Sequence, residues 1–358
     1  MLPTPVQTSS TIPLTRAALA IGRLDQRLQN HPLRSAILFR ERLEAARACA
    51  AVDGHLIDPW HLAADLEGLK PRIIGENAYE RGSVIDAAKM AFDQYLWLTR
   101  PTREQATRLE NALAALHEAA TPSGPLLGAA QAFHRWIDAG GDRSSMRGAL
   151  VRFWQESGVL QCPLPLVAAR AFAGEAPWKP DRWIPLFLSC LADEAEVIER
   201  RTIALEQAWR VARAQTRGQR RTSRARTALD LIAAFPVISA SRLSALLSVS
   251  LKAAYLYLER FLADGLVVEV THRSARRLFA LTGLEPLREA VTPPRRPLPG
   301  RKRGRPRCEA VEAGAFSVVD LAPPSDPSPS LEPIDYAALE EALAAADAAI
   351  ARFRKVIE

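Results

Sequence analysis

The sequence predicts a mainly α protein: a helical bundle, then a small basic module, then a terminal helix. Three observations carry this. Apolar residues recur three and four apart in seven long stretches before residue 216. Convincing period-two alternation is absent from that part of the chain. Charge also divides the chain: residues 1–199 hold 21 basic and 23 acidic groups, residues 200–307 hold 23 and 7, and residues 308–358 hold 3 and 10. A near-neutral half, a strongly basic middle and an acidic tail point to separate units, and the basic one suits a polyanion.

The units follow in order. Residues 1–15 are rich in Pro, Thr and Ser and are expected to be disordered. Residues 16–215 form the helical domain, with helices over Ala17–Leu28, Ile37–Val52, Val84–Leu98, Arg103–Ala119, Leu126–Trp136, Arg147–Glu156 and Trp183–Gln215. Breaks are expected at Asp53-Gly54, Asp58-Pro59, Arg100-Pro101, Thr121-Pro122, Ala139-Gly140-Gly141 and through the Pro-bearing run 161–180. Seven Trp residues, six of them before residue 200, read as core anchors. Residues 216–290 are the basic module, approached through Arg210 to Arg226, which carries seven Arg and no acid. A Pro-rich linker follows over 291–334, basic and then acidic. In residues 335–358, Tyr336, Leu339, Leu343, Ala346, Ile350, Phe353 and Ile357 take the spacing of a coiled-coil seam, which either docks on the bundle or pairs two copies as a homodimer.

Composition narrows the function classes. The chain has 358 residues, 48% hydrophobic and 24% charged, as a soluble globular protein does. No run approaches 18 apolar residues and the N-terminus lacks a signal-peptide pattern, so no membrane partner is expected. Cys49, Cys162, Cys190 and Cys308 are far apart and form neither a disulfide framework nor a metal-ligand cluster, which fits a cytoplasmic, nucleoid-associated location and no cofactor.

Within the basic module, Thr227–Phe235 supplies a helix stopped by Pro236, and Ser239 caps a second over Ala240–Leu247. The turn Ser248-Val249-Ser250 ends in another cap and opens Leu251–Ala263, whose buried stripe is Ala254, Leu258, Phe261 and Leu262. That is helix-turn-helix grammar, and the hairpin read from Leu266–Val270 and Arg277–Leu281 adds a wing tipped with His272, Arg273, Arg276 and Arg277. Such a module places its second helix in the major groove of double-stranded DNA, with helix-cap amides and basic wing residues on phosphates. The expected contacts are Arg242, Ser250, Lys252, Tyr255, Arg273, Arg276 and Arg277. The outward face of the recognition helix offers only Lys252 and Tyr255 as hydrogen-bonding side chains, beside Leu251, Ala253 and Leu256, so contact with another protein stays open.

Lys302-Arg303-Gly304-Arg305-Pro306-Arg307 resembles the AT-hook core. Glycine lets such a backbone lie deep in a narrow minor groove, while Arg303, Arg305 and Arg307 would point along it; the alternative is a solvated basic linker.

Four segments of the helical part carry a further resemblance. Ala48-Cys49-Ala-Ala-Val-Asp53-Gly54 is similar to a Ser/Thr-x-x-x-Glu-Gly signature. Ser157-Gly-Val-Leu-Gln-Cys-Pro163 and the run Trp178 to Glu196 are similar to a Gly-Leu-Leu-x-x-Pro turn and a Trp-bearing helix. His134-Arg-Trp-Ile-Asp138-Ala-Gly140-Gly141-Asp142-Arg143-Ser-Ser-Met-Arg147 is similar to His-Pro-Phe-x-Asp/Glu-Gly-Asn-Gly-Arg-x-x-Arg. Together, from about Leu24 to Leu281, the chain resembles Fic-domain proteins, many of which carry a C-terminal winged helix. Its whole layout more specifically resembles a bacterial family that joins a Fic-like domain of unknown function to a helix-turn-helix domain. The resemblance implies a Fic-like helical bundle, a winged helix-turn-helix domain and a C-terminal helix. In AMP-transferring relatives the His abstracts a hydroxyl proton, the acid binds Mg²⁺, and the glycine turn and arginines hold phosphates. Here His134, Asp138, Arg143 and Arg147 remain in order, but Pro, Phe and Asn are absent, Arg143 is displaced by one position, and Asp142 brings negative charge to the anion cradle. The expectation is therefore a degenerate motif with no catalytic residue, on a DNA-binding transcriptional regulator. A residual AMP transferase and an antitoxin-like interaction module are the alternatives.

Overall fold

A computed structural model describes residues 5–57, 63, 67, 78–216, 224–271 and 277–284, with the side chains of 5–9 and 78–85 left aside. The expected wing tip (His272, Arg273, Arg276), the AT-hook-like peptide (Arg303, Gly304, Arg305, Arg307), the linker 291–334 and the terminal helix 335–358 lie outside the described residues. The described chain is mainly helical. No helix in it is long and apolar enough to cross a membrane.

Among the described residues, seven α-helices build the first part: α1 (Pro5–Leu28), α2 (Arg34–Val52), α3 (Ala78–Thr99), α4 (Arg103–Ser123), α5 (Pro125–Asp138), α6 (Arg143–Glu156) and α7 (Pro180–Gln215). Helix α1 starts at Pro5, so the segment expected to be disordered is helical from there onward. Tertiary packing outweighs its poor composition: Ala17, Ala20, Ile21, Leu24 and Leu28 are buried, and Arg16 on its exposed side pairs with Asp193 (2.7 Å) and Glu196 (2.8 Å) of α7. Thr102 and Gln105 form a reciprocal capping box at the start of α4. That helix runs two residues past the break expected at Thr121-Pro122, because a proline in the last turn forfeits only one backbone bond, and it stops at Gly124 (φ 74°).

The core is built around Phe133, Phe153, Trp154, Trp183 and Phe187, all fully buried. Trp178 departs from the expected anchoring role, since its ring is 37% exposed. Helices α4 and α5 meet so closely at Gly128 that a Cβ there would lie 2.6 Å from the Ala120 Cα and 2.7 Å from the Ala119 carbonyl oxygen. Both obstacles are backbone, which cannot turn aside. Gly128→Ala is therefore expected to destabilise the fold by about 1–3 kcal/mol, read as a lower urea midpoint with an unchanged m-value.

The basic part contains α8 (Ala225–Ala234), β1 (Ile238–Ser239), α9 (Ala240–Leu247), α10 (Leu251–Ala263), β2 (Val267–Glu269) and β3 (Leu278–Leu281). The expected hairpin is the antiparallel pair β2 and β3, with Val267 opposite Leu281 and Glu269 opposite Phe279. Strand β1 adds to the other edge of β3, Ile238 opposite Phe279, giving the order β1-β3-β2. Two residues beside a helix cap are too few to show period-two alternation, so this strand had no pattern to betray it. All four residues of β3 are buried: Phe279 and Leu281 face the helices, while Leu278 and Ala280 pack with Val237, Val270 and Ala63 on the opposite side.

The two parts share one core. Phe39 of α2 meets Phe235 edge-on with ring centroids 5.4 Å apart. The neighbouring Arg40 is half-buried and donates to the carbonyls of Ala233 (3.0 Å) and Phe235 (2.8 Å), groups that the end of α8 leaves unpaired; desolvation brings its pKa down to about 10. Between α7 and α8, Trp209 donates to Asp230 (2.6 Å) and Arg213 pairs with the same carboxylate (3.1 Å).

Candidate nucleic-acid interface and the arginine cluster

The recognition-type helix α10 begins at Ser250, whose hydroxyl accepts from the Ala253 amide (3.2 Å) and caps the helix. The tight turn before it depends on Ser248 taking a left-handed conformation (φ 50°), a position that favours glycine. Arg224 braces the same turn by donating to the Leu247 carbonyl at the end of α9. Ala254, Leu258 and Phe261 face the core as expected, whereas Leu262 is 36% exposed and belongs to the surface. At residue 262 the helix has rotated past the edge of the sheet contact, which a stripe drawn at fixed spacing does not capture.

The outward face carries Lys252, Leu256 and Glu259, all exposed, with Leu251 at one margin and the half-buried Tyr255 beside it. Lys252 and Tyr255 therefore stand together on one accessible face near the N-terminal end of α10. Two other expected contacts turn inward. Arg277 pairs with Glu269 (2.8 Å), lies near Glu259 (3.9 Å) and sits over the Phe279 ring at 5.1 Å. Arg242 sits over the Phe235 ring at 4.7 Å and pairs with Glu67 (3.2 Å). Both are committed to internal acids, because an arginine next to a buried carboxylate is held there by that acid's need for a counter-charge. Glu67 was missed by sequence reasoning; no local pattern links it to a residue so far along the chain.

The second candidate site is built on α5 and α6. His134 is buried, and each ring nitrogen faces an acceptor: Nδ1 lies 3.1 Å from the Asp138 carboxylate and Nε2 2.7 Å from the Trp178 carbonyl oxygen. The Trp178 ring stacks on the imidazole at 4.6 Å and donates its Nε1–H to the other Asp138 oxygen (2.7 Å). Both ring nitrogens of His134 thus face internal partners, and neither is open to a substrate hydroxyl. Asp142 is the N-cap of α6, accepting from the Ser145 amide (2.7 Å), so the helix N-terminus that would cradle an anion already holds a carboxylate of its own.

Arg143 and Arg147 converge on a third residue. Asp53, at the end of α2, accepts from Arg147 through both oxygens (2.6 and 3.2 Å) and from Arg143 (2.9 Å). Both guanidinium groups also lie over the Phe172 ring, at 5.5 and 5.4 Å. Burial pushes the Asp53 pKa up, but the hydrogen bonds and charges of Arg147 and Arg143 outweigh it and hold the carboxyl below its ordinary range. Glu194 of α7 accepts from three consecutive amides, Val167 (2.9 Å), Ala168 (2.8 Å) and Ala169 (2.8 Å), and desolvation of its carboxylate pushes its pKa up to about 7.

A Mg²⁺-bound nucleotide does not fit this arrangement. Asp138 spends its two oxygens on His134 and Trp178, and both arginines bond to Asp53. Among the described residues, no group of three His, Cys, Asp or Glu side chains is placed to hold a metal ion. No family model matches the chain, and no curated protein matches it either.

Proposed function

We propose that the chain is a DNA-binding regulator in which residues 224–284 act as a winged helix-turn-helix module on a Fic-like bundle that has lost transfer chemistry. The observation that carries this reading is the pair α9 and α10, joined by a tight capped turn and backed by a three-stranded antiparallel sheet, with Lys252 exposed and Tyr255 half-buried beside it near the start of α10. The pair lies within the segment of 23 basic and 7 acidic groups. Helices of this size fit the major groove, and their N-terminal residues reach base edges. The self-filled cradle at Asp142 and the engaged His134 support a bundle that scaffolds rather than catalyses.

The test is binding of the full chain to labelled genomic DNA fragments at two salt concentrations. Saturable binding is expected, with Lys252→Ala lowering the slope of log affinity against log salt by about 0.9, one phosphate contact. Arg303→Ala/Arg305→Ala is expected to weaken A·T-rich fragments most. Absence of binding at about 150 mM salt, where specific DNA binders remain tight, overturns the reading. Exposed Leu251, Leu256 and Leu262 (47, 60 and 36%) favour a second reading, a protein partner on the same face. Retention of a partner by a chain that ignores DNA selects it.

A further inference from the structure

We propose that Ala63 and Glu67 together act as an autoinhibitory strap, the Glu67 carboxylate occupying the place a DNA backbone phosphate takes when the module binds. The inference rests on the DNA-binding reading above.

Glu67 comes from between α2 and α3 and meets the basic module 172 residues later. One carboxylate oxygen accepts from the Ser239 amide (3.2 Å), at the cap of α9, and the other pairs with the Arg242 guanidinium one turn into the helix (3.2 Å). Its side chain is only 3% exposed. An anion held by a helix-cap amide and an arginine is the arrangement with which proteins seat a phosphate. The first helix of a helix-turn-helix pair is also the one that crosses the DNA backbone. Both conditions meet at the start of α9, with an internal carboxylate where the external phosphate belongs.

A second contact fixes the strap independently of charge. Ala63 is 4% exposed and packs with Val237, Val270, Leu278 and Ala280 on the outer face of the sheet. The Glu67 amide donates to the Ala63 carbonyl (3.2 Å), so the two residues share one turn of chain. The strap thus lies on the outer face of the sheet through Ala63 and reaches the α9 cap through Glu67. Burial works to raise the Glu67 pKa, and the Arg242 charge opposes it, as for a carboxylate that stays only while its arginine is committed to it. DNA and strap then compete for Arg242, and release of the strap adds one phosphate contact.

The experiment measures DNA affinity against salt for the full-length wild type, Glu67→Gln, Arg242→Ala and the double variant, with Ala63→Asp to lift the strap through its apolar contact. Glu67→Gln is expected to bind about tenfold tighter at about 150 mM salt, with the salt slope steeper by about 0.9. Ala63→Asp should reproduce the gain, and Arg242→Ala should abolish it in the double variant. Wild-type binding with no gain in either strap variant overturns the strap and leaves the DNA-binding reading intact. A loss of affinity in Glu67→Gln, with the melting temperature preserved, also overturns it, since Glu67 would then be positioning the module for DNA. Failure of every variant to bind DNA removes the reading itself.

Discussion

Replacing Asp53 by Ala is expected to lower the unfolding free energy by about 3–5 kcal/mol, the range for stripping the counter-ion from a buried charge. Arg147 is fully buried, and both its terminal nitrogens are spent on Asp53. Without the carboxylate its charge has only the Phe172 face nearby and Glu194 behind it. Asp53→Asn should cost less, because the amide oxygen still accepts one of the hydrogen bonds. Asp53→Ala/Arg147→Met should recover much of the loss, since removing both charges leaves nothing unpaired. Urea denaturation of the four proteins checks this, and a change under 1 kcal/mol in Asp53→Ala would show that the cluster does not pin α2 to α6. The same variant separates two functions. Freed arginines should restore nucleotide binding if the bundle is a dormant transferase, and should not if it is a scaffold, because Asp142 still fills the end of α6.

Much of this architecture was legible because it is local. Helices α4 and α5 show themselves by apolar residues three and four apart, and α9 and α10 by their Ser239 and Ser250 caps. What stayed hidden is non-local. Nothing in Pro5–Leu14 announces a helix, because α1 is stabilised by the surface of α7 and not by its own propensity. The expected division near residue 215 did not anticipate a shared core, since Phe39, Arg40 and Glu67 carry no signal that they belong to residues 230–242.

The candidate sites divide along the same line. Lys252 and Tyr255 emerge together because helical spacing alone places them on one face. Arg242 and Arg277 looked free for DNA because a sequence shows how many arginines a module has, and not which acids they answer to. The segment quoted around Asp53 and the run from His134 to Arg147 are adjacent in space, with Asp53 bonded to both Arg143 and Arg147. A pattern of residue types carried that connection. Its consequence, two arginines sharing one carboxylate, needed the distances.

Glu194 sets the pH dependence of the fold. Burial raises its pKa to about 7, from an ordinary value of 4.5 in the unfolded chain, against the pull of three amide hydrogen bonds and the Arg147 charge. Between those two values the folded chain holds a proton that the unfolded chain has released. Its contribution is therefore complete below about pH 4.5 and is lost as the pH rises towards about 7, by an amount on the order of 3 kcal/mol. Glu41 and Asp230, also raised by burial, and His31, lowered by it, add their own pH dependence, so the wild type alone does not isolate the effect. Glu194→Gln does: the difference in unfolding free energy between the two proteins should fall in favour of the variant from pH 5 to 8. The variant itself is expected to be less stable at pH 5, because its amide group presents donors to at least one of the Val167, Ala168 and Ala169 amides. A difference that stays flat across that range would mean that the three amides and Arg147 hold Glu194 ionised throughout, with desolvation the weaker effect.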